Sequence, residues 1–125
     1  MASATVKKRS EFLWVRGGRR WSAAAFVLEA RGRQNVADAE APARFGFTVS
    51  KKVGGAVVRN RVRRRLRALT AALSPDQLRP GFDYVLIARS AAVDRSFADL
   101  KADLDQALAR VHQAPGQKRR GQKNA

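Results

Sequence analysis

Apolar residues alternate with polar ones in some stretches of the chain and recur every three or four positions in others, and that change of period lays out the elements. Phe45, Phe47 and Val49 alternate with Arg44, Gly46, Thr48 and Ser50, which predicts a strand with one face turned to a core. Lys51 and Lys52 end it, and Gly54 and Gly55 suit a sharp turn into the next element. From Ala56 the spacing changes. Val58, Val62, Leu66, Leu69 and Leu73 form one apolar stripe of a helix. Upstream, Phe12, Leu13 and Val15 follow a polar, basic start and predict a short amphipathic helix that opens near Ser10 and is stopped by Gly17 and Gly18. A short strand around Trp21 comes next, then a better one, AAAFVLEA, in which Phe26 and Leu28 face one way and Val27 and Glu29 the other. Glu29 is expected as an exposed strand glutamate. Gly32 to Ala43 has no apolar period and reads as a loop.

After Leu73, SPDQLRPG is an irregular connection with two prolines and a glycine. DYVLIARS, Asp83 to Ser90, is almost continuously apolar, as expected of a strand covered on both faces. Ser96, with Asp99 three residues on, caps a last helix whose stripe is Phe97, Leu100, Leu104, Leu108 and Val111. Strand, helix and strand in succession suggest a parallel pair joined by the basic helix. The whole is a small α+β domain in the order αβββαβα, covering residues 1–113. APGQKRRGQKNA, residues 114–125, has no apolar face and reads as a disordered cationic tail.

Charge decides the class of partner. Lys plus Arg number 26 against 10 Asp plus Glu, a net charge of +16 over 125 residues, so the partner is itself strongly anionic: nucleic acid first, a membrane surface second. The charge is concentrated. From Lys51 to Arg67 there are eight basic residues and no acidic one. Winding the helix at about 100° per residue puts Asn60, Arg63, Arg64 and Arg67 opposite the apolar stripe and Arg59, Arg61 and Arg65 on its flanks. A solvated face normally mixes signs, and this one does not. Six of the eight are arginines, whose planar donor fork suits phosphate. Like charges four apart destabilise the helix by some tenths of a kcal/mol per pair, which a polyanion would relieve.

The string SKKVGGAVVRNRVRRRL, Ser50 to Leu66, resembles the signature of the protein subunit of bacterial ribonuclease P. Lys51, Lys52, Gly54, Ala56, Arg59, Asn60, Arg61, Arg63, Arg64 and Arg67 fall on that signature in register. Gly55 stands where the family often has Asn. The resemblance implies an about four-stranded mixed sheet with three helices, the strand-helix-strand crossover carrying the basic helix, as in a domain known from a small-subunit ribosomal protein. It implies that Lys51, Lys52, Arg59, Asn60, Arg61, Arg63, Arg64 and Arg67 bind the catalytic RNA. It also implies a cleft for the 5′ leader of precursor tRNA, assigned here to Phe12, Arg16, Val27, Glu29, Lys52 and Arg89. Phe12 and Val15 match the family's first-helix pattern. Arg16 replaces its second aromatic and Glu29 its frequent tyrosine, while Trp14 lies at a different helical angle, where it could belong to the core. Hydrolysis in the family is magnesium-dependent and performed by the RNA, so Mg²⁺ is expected to be held mainly through RNA.

The residues themselves offer no autonomous active site. With one histidine and no cysteine there is no Ser/His/Asp or Cys/His arrangement, no thiolate metal site and no disulfide, and no phosphate loop is present. His112, in the basic end of a helix, is expected at the surface. Asp99, Asp103 and Asp105 read as a solvated acidic face. No catalytic or metal-binding residue is assigned to the protein. No apolar run is long enough to span a membrane and the start lacks a secretory signal's apolar centre, so a cytoplasmic location is expected, with no membrane or protein partner evident. A noncatalytic RNA-binding protein, such as a ribosomal protein or an RNA chaperone, remains the alternative.

Overall fold

The computed structural model describes residues 4–33 and 40–113; the expected tail and part of the loop before Ala43 lie outside them. The elements are β1 (Ala4–Thr5), α1 (Arg9–Val15), β2 (Arg19–Ser22), β3 (Phe26–Gly32), β4 (Arg44–Thr48), α2 (Ala56–Ala71), β5 (Phe82–Ala88) and α3 (Phe97–Val111), with 3-10 turns at Pro75–Gln77 and Ser90–Ala92. The four longer strands and three helices follow the predicted order. The two-residue β1, too short to leave a pattern, adds a fifth strand.

The sheet order is β1-β4-β5-β3-β2. β4 and β5 are parallel neighbours, paired from Arg44 with Asp83 to Thr48 with Ile87, and α2 is the connection between them. β3 runs antiparallel to both β5 and β2. Alternation then sorts the side chains. Phe26, Leu28 and Ala30 of β3, Phe45 of β4, and Tyr84, Leu86 and Ala88 of β5 join Val62, Leu66 and Leu69 of α2 and the Leu100, Leu104 and Leu108 stripe of α3 in one core. The middle of each predicted stripe is therefore buried, while Val58 and Leu73 at the ends of the first are half-buried and Phe97, at the start of α3, is 43% exposed.

The opposite face lies under α1. Val15 is fully buried there, and the ring of Phe12 sits over Gly46. A Cβ at Gly46 would stand 2.7 Å from that ring and 2.9 Å from the Cβ of Val6, so the missing side chain is what lets α1 lie close to the sheet. Charge fastens the same contact. Arg44 donates to Asp83 through Nε (2.8 Å) and Nη2 (2.6 Å) and reaches Glu11 of α1 through Nη1 (3.0 Å), while Arg33 makes a second pair with Asp83. Asp83 is only 1% exposed, and two guanidinium groups offset the cost of burying its carboxylate. Glu11 also accepts the backbone N–H groups of Lys7 and Lys8 (3.1 and 3.0 Å), which, ahead of Arg44, holds its carboxyl down at about 2.

Two polar residues are not where the pattern put them. Glu29 is 3% exposed, because the β3 face opposite the core is itself covered. His112 is not a surface histidine. Its Nε2 lies 2.7 Å from the hydroxyl of Tyr84, and its ring packs edge-on against Phe82 and Tyr84. The Tyr84 oxygen accepts the backbone N–H of Arg79 at 3.0 Å, leaving its proton for a neutral imidazole. Burial first, then Arg79 and Arg19, push His112 down to about 4, and burial pushes Tyr84 up to about 12. The acidic face on α3 is also partly engaged: Asp103 accepts two bonds from Arg95 (2.6 and 3.1 Å), and Asp105 accepts from Gln77 (2.8 Å).

Candidate nucleic-acid interface

α2 is sixteen residues long and about 24 Å from end to end, so its outer face is a straight cationic edge. Asn60, Arg61, Arg64 and Arg67 are exposed and Arg59 and Arg63 half-buried, with Lys51 and Lys52 exposed in the turn that leads in. Among the described residues none of these cations is paired with a carboxylate. Arg63 Nη1 donates to Asn60 Oδ1 at 3.1 Å, which keeps its guanidinium along the ridge. Arg65 is the exception. It donates to the backbone carbonyl of Arg95 and so ties α2 to the segment before α3, as its flank position allows. The N-terminus of α2 has neither a side-chain cap nor an acidic residue in its first turn, so its dipole adds to the positive field beside Lys51 and Lys52.

The residues assigned to a leader cleft divide. Arg16 closes α1 and is exposed, Arg89 is exposed beyond β5, and Phe12 is half-buried against Gly46. Arg89 Nη2 donates to Ser22 Oγ at 3.3 Å, which draws it beside Val27, the cross-strand partner of Ser22. Val27, 5% exposed, and Glu29 are floor rather than contact surface. Desolvation raises the carboxyl of Glu29, and Arg20 and then Arg16 counter that rise. Arg20 Nη1 stands 3.8 Å from it across the β2–β3 pair. Pattern reading missed Arg20. The available signal was its position opposite Glu29 in a two-strand register. Trp14 is half-buried rather than core: the Arg31 guanidinium lies 4.5 Å from its ring centroid and donates to its carbonyl at 2.8 Å. No hydrogen bond or ion pair links Lys52 to this group; it stands with the α2 ridge.

Among the described residues no group of three or more His, Asp or Glu side chains is placed to hold a metal ion, and no helix is long and apolar enough to cross a membrane. What the surface presents is exposed guanidinium groups on two faces. One is the row along α2, the other the Arg16, Arg20 and Arg89 group over a covered floor.

A family model described as Ribonuclease P matches residues 1–112. The ribonuclease P protein component of Ruegeria pomeroyi is 46% identical over 110 residues, spanning 87% of this chain and 86% of the relative. That of Gluconacetobacter diazotrophicus is 48% identical over 104 residues, 82% and 86% of the two chains. Among solved structures, the ribonuclease P protein of Staphylococcus aureus aligns with a TM-score of 0.69 at 25% identity, covering 86% of this chain and 94% of that one. That of Thermotoga maritima shares the fold at a TM-score of 0.65 and 24% identity, over 80% and 90% of the two chains. The register of SKKVGGAVVRNRVRRRL, the α2 ridge it builds and these likenesses agree, and the chain belongs to the ribonuclease P protein family.

Proposed function

We propose that the chain grips the catalytic RNA of ribonuclease P with the outer face of α2 and Lys51 and Lys52, and guides the 5′ leader of precursor tRNA over the face beside α1. The observation that carries this is the row of guanidinium groups on α2, turned outward and unpaired with carboxylate among the described residues. Arg59, Arg61, Arg63, Arg64 and Arg67 bind phosphates of the catalytic RNA, each contact releasing condensed counterions, and Asn60 adds a neutral hydrogen-bonding group to the row. Arg16, Arg20 and Arg89 meet phosphates of the leader, with Phe12 at the edge of the same face. Val27 and Glu29 support that face from below.

The protein's part in tRNA 5′-end maturation is to lower repulsion between two polyanions. Hydrolysis belongs to the RNA, and Mg²⁺ is held mainly by RNA oxygens that the protein helps bring together. The protein therefore matters most at low Mg²⁺. Purified chain, catalytic RNA transcript and precursor tRNA are mixed at low Mg²⁺ and the 5′-matured product is measured. Product should depend on the protein there and be partly restored without it as Mg²⁺ rises. Equal dependence at every Mg²⁺ level would refute this mechanism.

A further inference from the structure

The cationic ridge of α2 runs into a groove that phosphate binding leaves unexplained. Arg63, Arg67 and Ala71 share one flank of the helix at four-residue spacing, and at its C-terminal end Arg67, Thr70 and Ala71 become one wall of a cavity of about 640 Å³. The other walls are Phe45 and Phe47 of β4, Thr5 of β1, the segment beginning at Glu40 and the connection after α2, from Leu73 to Pro80. The size falls within the range of small-ligand sites, about 300–1,000 Å³. Phe47, half-buried, is a fixed platform. Its ring lies 6.3 Å from that of Phe45 at 10° between planes, and Phe45 in turn stacks on Tyr84 at 5.1 Å.

We propose that this groove receives one unpaired nucleobase of the catalytic RNA, stacked on Phe47, with its phosphate held by Arg67. The inference rests on the assignment of α2 to that RNA. Charge selects the occupant and its direction. Arg67 is exposed, without a carboxylate partner among the described residues, and continuous with the phosphate-binding row. Glu40, at the other wall, repels phosphate but accepts hydrogen bonds from an exocyclic amine. The backbone of the strand therefore stays at the Arg67 rim and the base turns inward. An acidic peptide meets Glu40 unfavourably, and an apolar one leaves Arg67 unused. Single-stranded RNA satisfies both ends, since splayed bases stack on aromatic rings and their phosphates take arginine.

The test uses the full chain and the catalytic RNA transcript. Phe47→Leu keeps an apolar side chain but removes the flat ring, and Ala71→Trp fills the groove from an exposed helical position; thermal melts establish that each variant is folded. Both should lower affinity for the RNA about 5-fold or more, the lower end expected for loss of one stacked base. Dimethyl sulfate probing should show an unpaired base protected by the wild type and reactive again with either variant. Arg64→Ala serves as the reference. If it weakens binding while Phe47→Leu and Ala71→Trp leave affinity and protection unchanged, the groove proposal is overturned. If Arg64→Ala also has no effect, the assignment of α2 itself fails. If the groove variants lose affinity only for precursor tRNA, and only when the leader is present, the occupant is a leader base and the catalytic RNA is excluded from the groove.

Discussion

Lowering the pH from 7 to 5 should destabilise this protein through His112, and the structure sets both sign and size. The folded state holds the imidazole neutral, with a pKa of about 4 against 6.5 for an ordinary histidine. Below pH 6.5 the unfolded chain therefore binds a proton that the folded chain refuses. Stability is full above pH 6.5, falls as pH drops toward 4, and levels off below that. The shift corresponds to roughly 2 kcal/mol lost by pH 5, and partial solvent exposure of the ring reduces this to about 1 kcal/mol. Glu29, whose carboxyl is raised by burial, works in the opposite direction, since its folded form takes up a proton more readily. His112→Gln separates the two, because glutamine can still accept from the Tyr84 hydroxyl and does not titrate. Thermal melts between pH 7 and pH 5 should show the wild type losing about 1 kcal/mol more than His112→Gln, on the order of 4 °C in Tm. Parallel pH profiles for the two proteins would refute the burial of a neutral imidazole against Tyr84.

Asp83→Asn should cost about 3 kcal/mol in a denaturant melt, because it leaves the guanidinium groups of Arg33 and Arg44 without their buried counter-charge; a loss under 1 kcal/mol would show that the network holds little of the fold. Phe12→Ala should weaken binding of precursor tRNA more than of mature tRNA, measured with the assembled ribonucleoprotein. Equal losses on both would restrict Phe12 to packing α1 over Gly46.

Apolar patterning located the four longer strands and the three α-helices, because each amphipathic stripe is set by neighbours three or four positions away, or two in a strand; the 3-10 turns at Pro75–Gln77 and Ser90–Ala92 leave no such stripe. β5 shows the same economy: a run of Tyr84, Val85 and Leu86, buried on both faces, announces its central place. What pattern could not supply was pairing across long sequence separations. His112 finds Tyr84 twenty-eight residues back, so its burial is invisible in the basic segment that surrounds it. Glu29 looked like the polar half of an alternating strand, yet the face opposite the core is covered and Arg20 stands opposite it. Asp83 left a fainter trace as the lone carboxylate opening an apolar strand, but its partners Arg33 and Arg44 come from other segments. The α2 ridge was legible for the opposite reason. Its helical angle and its charge are both local, and no carboxylate among the described residues intervenes.

The most direct test of phosphate binding by α2 is a filter-binding titration of the catalytic RNA across salt concentrations with the wild type and Arg64→Ala. The wild type should lose affinity steeply and linearly in log–log form, and Arg64→Ala should bind more weakly with a slope shallower by about one unit. Lys101→Ala, on α3, should leave the slope as it is. An Arg64→Ala slope and affinity equal to those of the wild type would contradict direct contact between this ridge and RNA.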